Sequence, residues 1–216
     1  ALISKRLLTI ELKKSLMLQL LIALHYLKTQ NIIHRDLKPA NLFVTKYNML
    51  KIGDFGLARY YDTKIRKYSS QVITSWYRPP ELIMSNNKPE EYRFEIDMWS
   101  AGCIFYEIVT CEPLFRDRAN TDASQLATIL KTAGPLPEEM IKKYPEFQNQ
   151  IKDCKSSGLK AFLKAKFEPF PEFHGLIDLL ISMLHYIPKK RVSAEEALNH
   201  KFFQDMKDQY LPQNLP

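Results

Sequence analysis

The chain has six glycines in 216 residues, and none of them precedes Gly53. A glycine-rich loop able to wrap phosphates is therefore excluded from everything ahead of that position. Cysteine is scarce as well. Cys103, Cys111 and Cys154 are odd in number and lack zinc-ligand spacing, which argues for reduced thiols in the interior rather than a disulfide frame. No apolar run reaches membrane-spanning length, because the stretch Leu16 to Leu24 is interrupted by Gln19 and ended by His25. Residues 1–10 lack the apolar core of a secretory signal, so neither a leader nor a membrane partner is expected. The net charge is +7, yet the basic residues are scattered and not interleaved with stacking aromatics, which removes nucleic acid from the expected partners. The cluster Pro188-Lys189-Lys190-Arg191 reads as a loop ahead of a helix.

What is present suffices for one core, with 45% hydrophobic residues and no need of a metal or disulfide staple. Leu12, Leu16, Leu20, Leu24 and Leu27 recur at helical spacing, and Met17, Leu18, Leu21 and Ile22 make the other faces apolar, predicting a buried helix over about residues 11–29. Leu42-Phe43-Val44 and Leu50-Lys51-Ile52 flank Tyr47-Asn48 and read as a short hairpin. Residues 57–80 have little periodicity and read as a long functional loop. A second apolar helix is expected from near Asp97 through Trp99, Ile104, Phe105 and Ile108, and a third over Ala123–Thr132, ended by Gly134-Pro135. A Pro-rich, charged stretch then runs to Pro171. Leu176–Tyr186 is amphipathic, and Ser193 with Glu196 forms a capping-box pattern opening a final helix through Phe202. There is no internal repeat.

Two motifs carry chemistry. Residues 34–41 read His-Arg-Asp-Leu-Lys-Pro-Ala-Asn, and Asp54-Phe55-Gly56 begins thirteen positions after Asn41. In this order and spacing the pair resembles the catalytic and metal-binding loops of protein kinases. Phosphoryl transfer asks a protein mainly for positioning and charge stabilisation. Asp36 is placed to accept the proton of the attacking hydroxyl, Lys38 to reach the transferring phosphoryl of ATP, and Asn41 and Asp54 to offer oxygen ligands to Mg²⁺. No strand lysine of the V-A-I-K type appears upstream, since Lys5, Lys13, Lys14 and Lys28 sit among helix formers. The expectation is an α+β, mainly α-helical fold: a protein-kinase-like carboxyl-terminal lobe over residues 1–203 without its amino-terminal lobe, followed by a tail over 204–216. His34 and Trp99 are read as packing residues, and His25, His174, His185 and His200 form no ligand cluster.

From Asp54 to Glu81 the chain reads D-F-G-L-A-R, then Y-S-S-Q-V-I-T, then S-W-Y-R-P-P-E, and this resembles the cyclin-dependent branch of the eukaryotic protein kinases. The resemblance covers about residues 11–203. It implies a serine/threonine kinase, because Lys38 with Pro39 marks that type of catalytic loop. It further implies a regulatory phosphate on Ser69 gripped by Arg35 and Arg59, with Thr74 bridging the catalytic Asp and Lys. Val72, Ile73 and Arg78 would shape a pocket for a proline after the acceptor residue. Glu81 is expected to pair with Arg191, and Asp97 to tie the central helix to the catalytic-loop backbone. The implied partners are a protein substrate, a cyclin-like activating subunit and an upstream activating kinase, in the cytoplasm or nucleus. Two alternatives stand beside this: a mitogen-activated-type kinase, whose Thr-x-Tyr pair is missing from Tyr68-Ser69-Ser70-Gln71, and a non-catalytic lobe that binds proteins. The 216 residues alone are expected to be inactive.

Overall fold

The computed structural model describes residues 8–61, 75–85, 92–149 and 156–206. The first helix, α1 (Ile10–Thr29), begins where Thr9 Oγ1 accepts from the Leu12 amide at 3.2 Å, and it carries Glu11 in its first turn and Lys28 in its last. Both charges oppose the helix dipole at the correct ends. Its residues Leu16, Met17, Leu18, Leu20, Leu21, Leu24 and Leu27 are buried, as expected of a helix apolar nearly all round.

Four short strands follow the helix closely. β1 (Ile32–Ile33) pairs antiparallel with β4 (Arg59–Tyr60), and β2 (Leu42–Val44) pairs antiparallel with β3 (Leu50–Ile52) in the register Leu42 to Ile52. The turn between β2 and β3 uses Asn48 at φ 60, a left-handed conformation Asn tolerates, and Thr45 Oγ1 accepts from the Tyr47 and Met49 amides. The expected hairpin is therefore present. The β1–β4 pair lies inside what periodicity left as irregular chain on both sides.

The remaining elements are helical: α2 (Pro80–Met84), α3 (Glu95–Thr110), α4 (Asp122–Ala133), α5 (Glu138–Lys143), α6 (Leu159–Phe167), α7 (Leu176–Met183) and α8 (Ala194–Leu198). α3 is the centre of the core. Thirteen of its residues from Ile96 to Val109 are buried, and Trp99 stacks on Phe115 at 5.6 Å between ring centroids. Gly102 lets α7 approach this closely. A Cβ there would lie 3.0 Å from Leu184 Cγ and Cδ2 and 3.2 Å from Met183 Cβ, tighter than packed atoms accept. At the far end of α3, Lys13 Nζ donates to the Val109 carbonyl at 3.1 Å, placing a cation at the negative pole of the helix.

The fold is mainly helical, as the sequence predicts, and beside the expected hairpin it holds a second small antiparallel strand pair. Two helix ends differ, and two helices are additional. The final helix ends at Leu198 rather than Phe202, because Asn199 at φ −87 and ψ 2 leaves the helical register and a 3-10 stretch, Lys201–Met206, takes over. α7 stops at Met183 instead of continuing to Tyr186, with Leu184 at ψ 30. The Pro-rich stretch also holds α5 and α6, neither of which was anticipated. No helix among the described residues is long and apolar enough to cross a membrane.

Candidate active site

The loop between β1 and β2 is fixed from the core outward. Asp97, in the first turn of α3, accepts from the His34 amide at 2.8 Å through Oδ2 and from the Arg35 amide at 2.9 Å through Oδ1. Arg35 sits at φ 73, a left-handed conformation that costs a non-glycine residue about 1–3 kcal/mol and persists only where its surroundings hold it. The two bonds to Asp97 do so. Burial pushes the Asp97 carboxyl above the usual carboxylate range, and the two amides pull against that. His34 is more than packing. Its Nε2 lies 3.0 Å from the Gly53 carbonyl oxygen, and its ring packs T-shaped on Phe55 with centroids 4.9 Å apart, so it spans the loop and the Asp54-Phe55-Gly56 turn.

The candidate chemical groups converge on Asp36. Lys38 Nζ donates to Asp36 Oδ2 at 2.7 Å, and Asn41 Nδ2 donates to the same oxygen at 3.1 Å and to the Asp36 carbonyl at 2.8 Å. All three side chains are mostly withdrawn from solvent. The Gly53 amide donates to the Asn41 carbonyl at 2.9 Å, continuing the β2–β3 ladder by one step, so Asn41 and Asp54 stand at the same open end of the hairpin.

That end fits magnesium. The Asn41 amide nitrogen is spent on Asp36, which leaves its oxygen as the cation donor, and Asp54 adds a carboxylate. Asp54 adopts φ 61 and ψ 68, and its Oδ1 lies 3.3 Å from where a Cβ on Gly56 would be, so glycine leaves the carboxylate room. Two hard oxygen donors leave most of a magnesium shell to phosphate and water, the usual arrangement for that ion. Among the described residues no group of three or more His, Cys, Asp or Glu converges, so nothing here resembles a closed transition-metal site.

The other expected site residues divide in two. Arg35 and Arg59 lie toward the same end of the β1–β4 pair, where Ile33 is opposite Arg59. The Arg35 guanidinium stands 5.6 Å from the Tyr92 ring centroid, and Arg59 Nη1 donates to its neighbour's carbonyl, that of Ala58, at 2.8 Å. Arg78 Nη1 donates to Asp122 Oδ1 at 2.9 Å. Ser69, Val72, Ile73 and Thr74 lie outside the described residues. The structural pair implied by the resemblance is present: Arg191 Nη1 and Nη2 donate to Glu81 Oε1 and Oε2, each at 2.6 Å.

Two residues that matter to the site escaped the sequence reading. Gln19 looked like an interruption of an apolar helix, but its Oε1 accepts from the Leu50 amide at 2.7 Å and its Nε2 donates to the Asn48 carbonyl at 3.1 Å. It anchors the hairpin that presents Asn41 and Asp54. Phe43, between Leu42 and Val44 in β2, is more than half exposed, and its ring would lie 2.6 Å from a Cβ on Gly53. Gly53 is thus the gap into which an aromatic platform fits, directly ahead of Asp54.

The protein kinase domain family model matches residues 1–203, and the chain belongs to that family. Its relatives include cyclin-dependent kinases. Cyclin-dependent kinase G1 of Arabidopsis thaliana is 41% identical over 199 residues, covering 89% of this chain and 32% of that protein. Cyclin-dependent kinase 11A of Homo sapiens is 38% identical over 192 residues, covering 89% of this chain and 24% of that protein. Cyclin-dependent kinase 11B of Rattus norvegicus is also 38% identical over 192 residues, and there the match covers 43% of the relative. The chain therefore spans less than half the length of these relatives.

Proposed function

We propose that this chain forms the phosphoryl-transfer half of a proline-directed, cyclin-activated serine/threonine kinase that moves the γ-phosphoryl of ATP to a hydroxyl of a protein substrate. The observation that carries the reading is the convergence of Lys38 Nζ and Asn41 Nδ2 on Asp36 Oδ2 at 2.7 and 3.1 Å. A carboxylate held through one oxygen by a cation and an amide is oriented, and its second oxygen is assigned to the substrate hydroxyl as general base. Lys38, held beside it, supplies positive charge where the transferred group gathers negative charge. Asn41 and Asp54 would hold magnesium, whose chemistry is to screen the phosphates of ATP. Phe43, exposed beside Gly53, offers a flat apolar surface to the nucleotide.

The cyclin-like subunit, the protein substrate and the upstream kinase acting on Ser69 are part of the same proposal, supported by the names of the relatives and by Arg35 and Arg59 at one end of the β1–β4 pair. Cytoplasm and nucleus are the compartments it implies. Transfer also needs a glycine-rich loop and a strand lysine, so the 216 residues assayed by themselves are expected to be inactive.

The test is Asp36→Asn in the full-length protein, with peptide phosphorylation and nucleotide binding measured together. The expected result is a fall in kcat of about 10²–10⁴ with ATP affinity nearly unchanged. Undiminished turnover would refute the assignment.

A further inference from the structure

The segment Trp76-Tyr77-Arg78 is fastened from a direction that the kinase reading does not itself require. Trp76 Nε1 donates to the Asp117 carbonyl at 2.7 Å, and Arg78 Nη1 donates to Asp122 Oδ1 at 2.9 Å. Asp117 lies in the connection from α3 to α4 and Asp122 opens α4. That connection is braced internally. Ser124 Oγ donates to Asp117 Oδ2 at 2.6 Å, the Ala119 amide donates to Asp117 Oδ1 at 3.1 Å, and buried Gln125 donates to the Phe115 carbonyl at 3.2 Å. Thr121 and Ser124 also close a capping box on α4, so Asp122 occupies the first position of a helix whose entry is fixed. The Ser124 hydrogen bond, with the loop amides, holds the Asp117 carboxyl below the ordinary range, as a well-satisfied carboxylate should be.

We infer that Asp122 is a specificity-setting positioning residue, acting through Arg78 on the residue that follows the phosphorylated hydroxyl. The inference rests on the proline-directed reading above, in which Arg78 borders the pocket for that residue. Arg78 is only 13% exposed in its side chain, while Asp122 is 40% exposed. The arginine is thus a packed wall held from outside by a carboxylate that substrate need not touch. A guanidinium without this partner has several rotamers of similar energy, and a pocket wall that moves cannot favour the rigid ring of proline over a smaller side chain.

The experiment compares two peptide substrates in the full-length protein with its activating subunit, one with Pro and one with Ala after the acceptor Ser. Asp122→Asn is expected to raise KM for the Pro peptide and lower the Pro-to-Ala ratio of kcat/KM by about tenfold, with kcat and the KM for ATP unchanged. Asp122→Glu, which keeps a carboxylate in reach, should recover most of the ratio. A general loss of folding would depress both peptides equally, so thermal unfolding is recorded alongside. An unchanged ratio in Asp122→Asn would overturn the inference while leaving the kinase reading intact. Absence of any preference for Pro in the unsubstituted protein would overturn the proline-directed reading and this inference together.

Discussion

Removing either partner of the Glu81–Arg191 pair should destabilise the protein by different amounts, and the order follows from what each side chain touches. The pair is bidentate at 2.6 Å, and the side chains are 5% and 0% exposed. Glu81→Gln leaves the guanidinium buried beside a neutral group, which costs about 3–5 kcal/mol. Arg191→Met leaves a buried carboxylate and also strips the donors from three carbonyls, those of His185 at 2.7 Å, Glu95 at 3.1 Å and Tyr186 at 3.3 Å. At about 1 kcal/mol or more for each orphaned acceptor, its cost rises to roughly 6–8 kcal/mol. The double replacement Glu81→Leu with Arg191→Met removes both charges and leaves only the carbonyls, a loss of about 3 kcal/mol. Thermal unfolding followed by circular dichroism reads the series directly. For a domain of this size each kcal/mol shifts Tm by about 2–4 °C, so Glu81→Gln should lower it by about 10 °C and Arg191→Met by clearly more. The reasoning is refuted if Arg191→Met proves no worse than Glu81→Gln, or if the double replacement matches the original protein.

Gly102→Ala sets a helix-propensity gain of about 1 kcal/mol against a Cβ placed 3.0 Å from Leu184, where buried Leu184 and Met183 must shift within a packed core to admit it. A net loss of about 1 kcal/mol is expected in urea unfolding, and a gain in stability would contradict the packing argument. Two histidines should also weaken the domain below neutral pH. Burial holds the His185 and His200 imidazoles below the ordinary value of 6.5, so the unfolded chain binds protons more readily than the folded one. Their contribution is complete above that value and is lost as pH falls through the lower folded-state values. Urea midpoints from pH 7.5 to 5 should therefore decline less in the double variant His185→Asn with His200→Asn.

Much of the site was legible because its chemistry is local. Asp36, Lys38, Asn41 and Asp54 lie within one short stretch, and the turn residues Tyr47-Asn48 mark the hairpin that joins the two motifs. α1, α3 and α4 were legible for a different reason: each buries several residues at helical spacing, so the period shows through. α5 buries only Met140, so it shows no period and is selected by the surface it docks on. α6 does repeat Leu159, Leu163 and Phe167 every four residues, but it is one short stretch opened by Gly158 with no capping side chain, inside a Pro-rich, charged segment that masks it. β1 and β4 have two residues each, too few for any alternation to register.

How the chemical groups are held was legible only in part. The tie from Asp97 to the His34 and Arg35 amides, more than sixty positions away, is the one the resemblance implies. The Leu50 amide takes its partner from Gln19, 31 positions away, and Arg78 is tied to Asp122 across 44 positions, and no motif marks either tie. A polar residue on a helix is the visible trace of these two, but the trace has no address until the chain is folded. This division has a mechanistic consequence. The residues to which phosphoryl transfer is proposed are close in sequence, so a few positions would specify the reaction. The residues that orient them, and the one proposed to set substrate preference, belong to α1, α3 and α4, whose first duty is to the core. A substitution at Gln19 or Asp97 should therefore change activity and stability together. One at Asp122, on the exposed side of its pair, is the case in which selectivity moves alone.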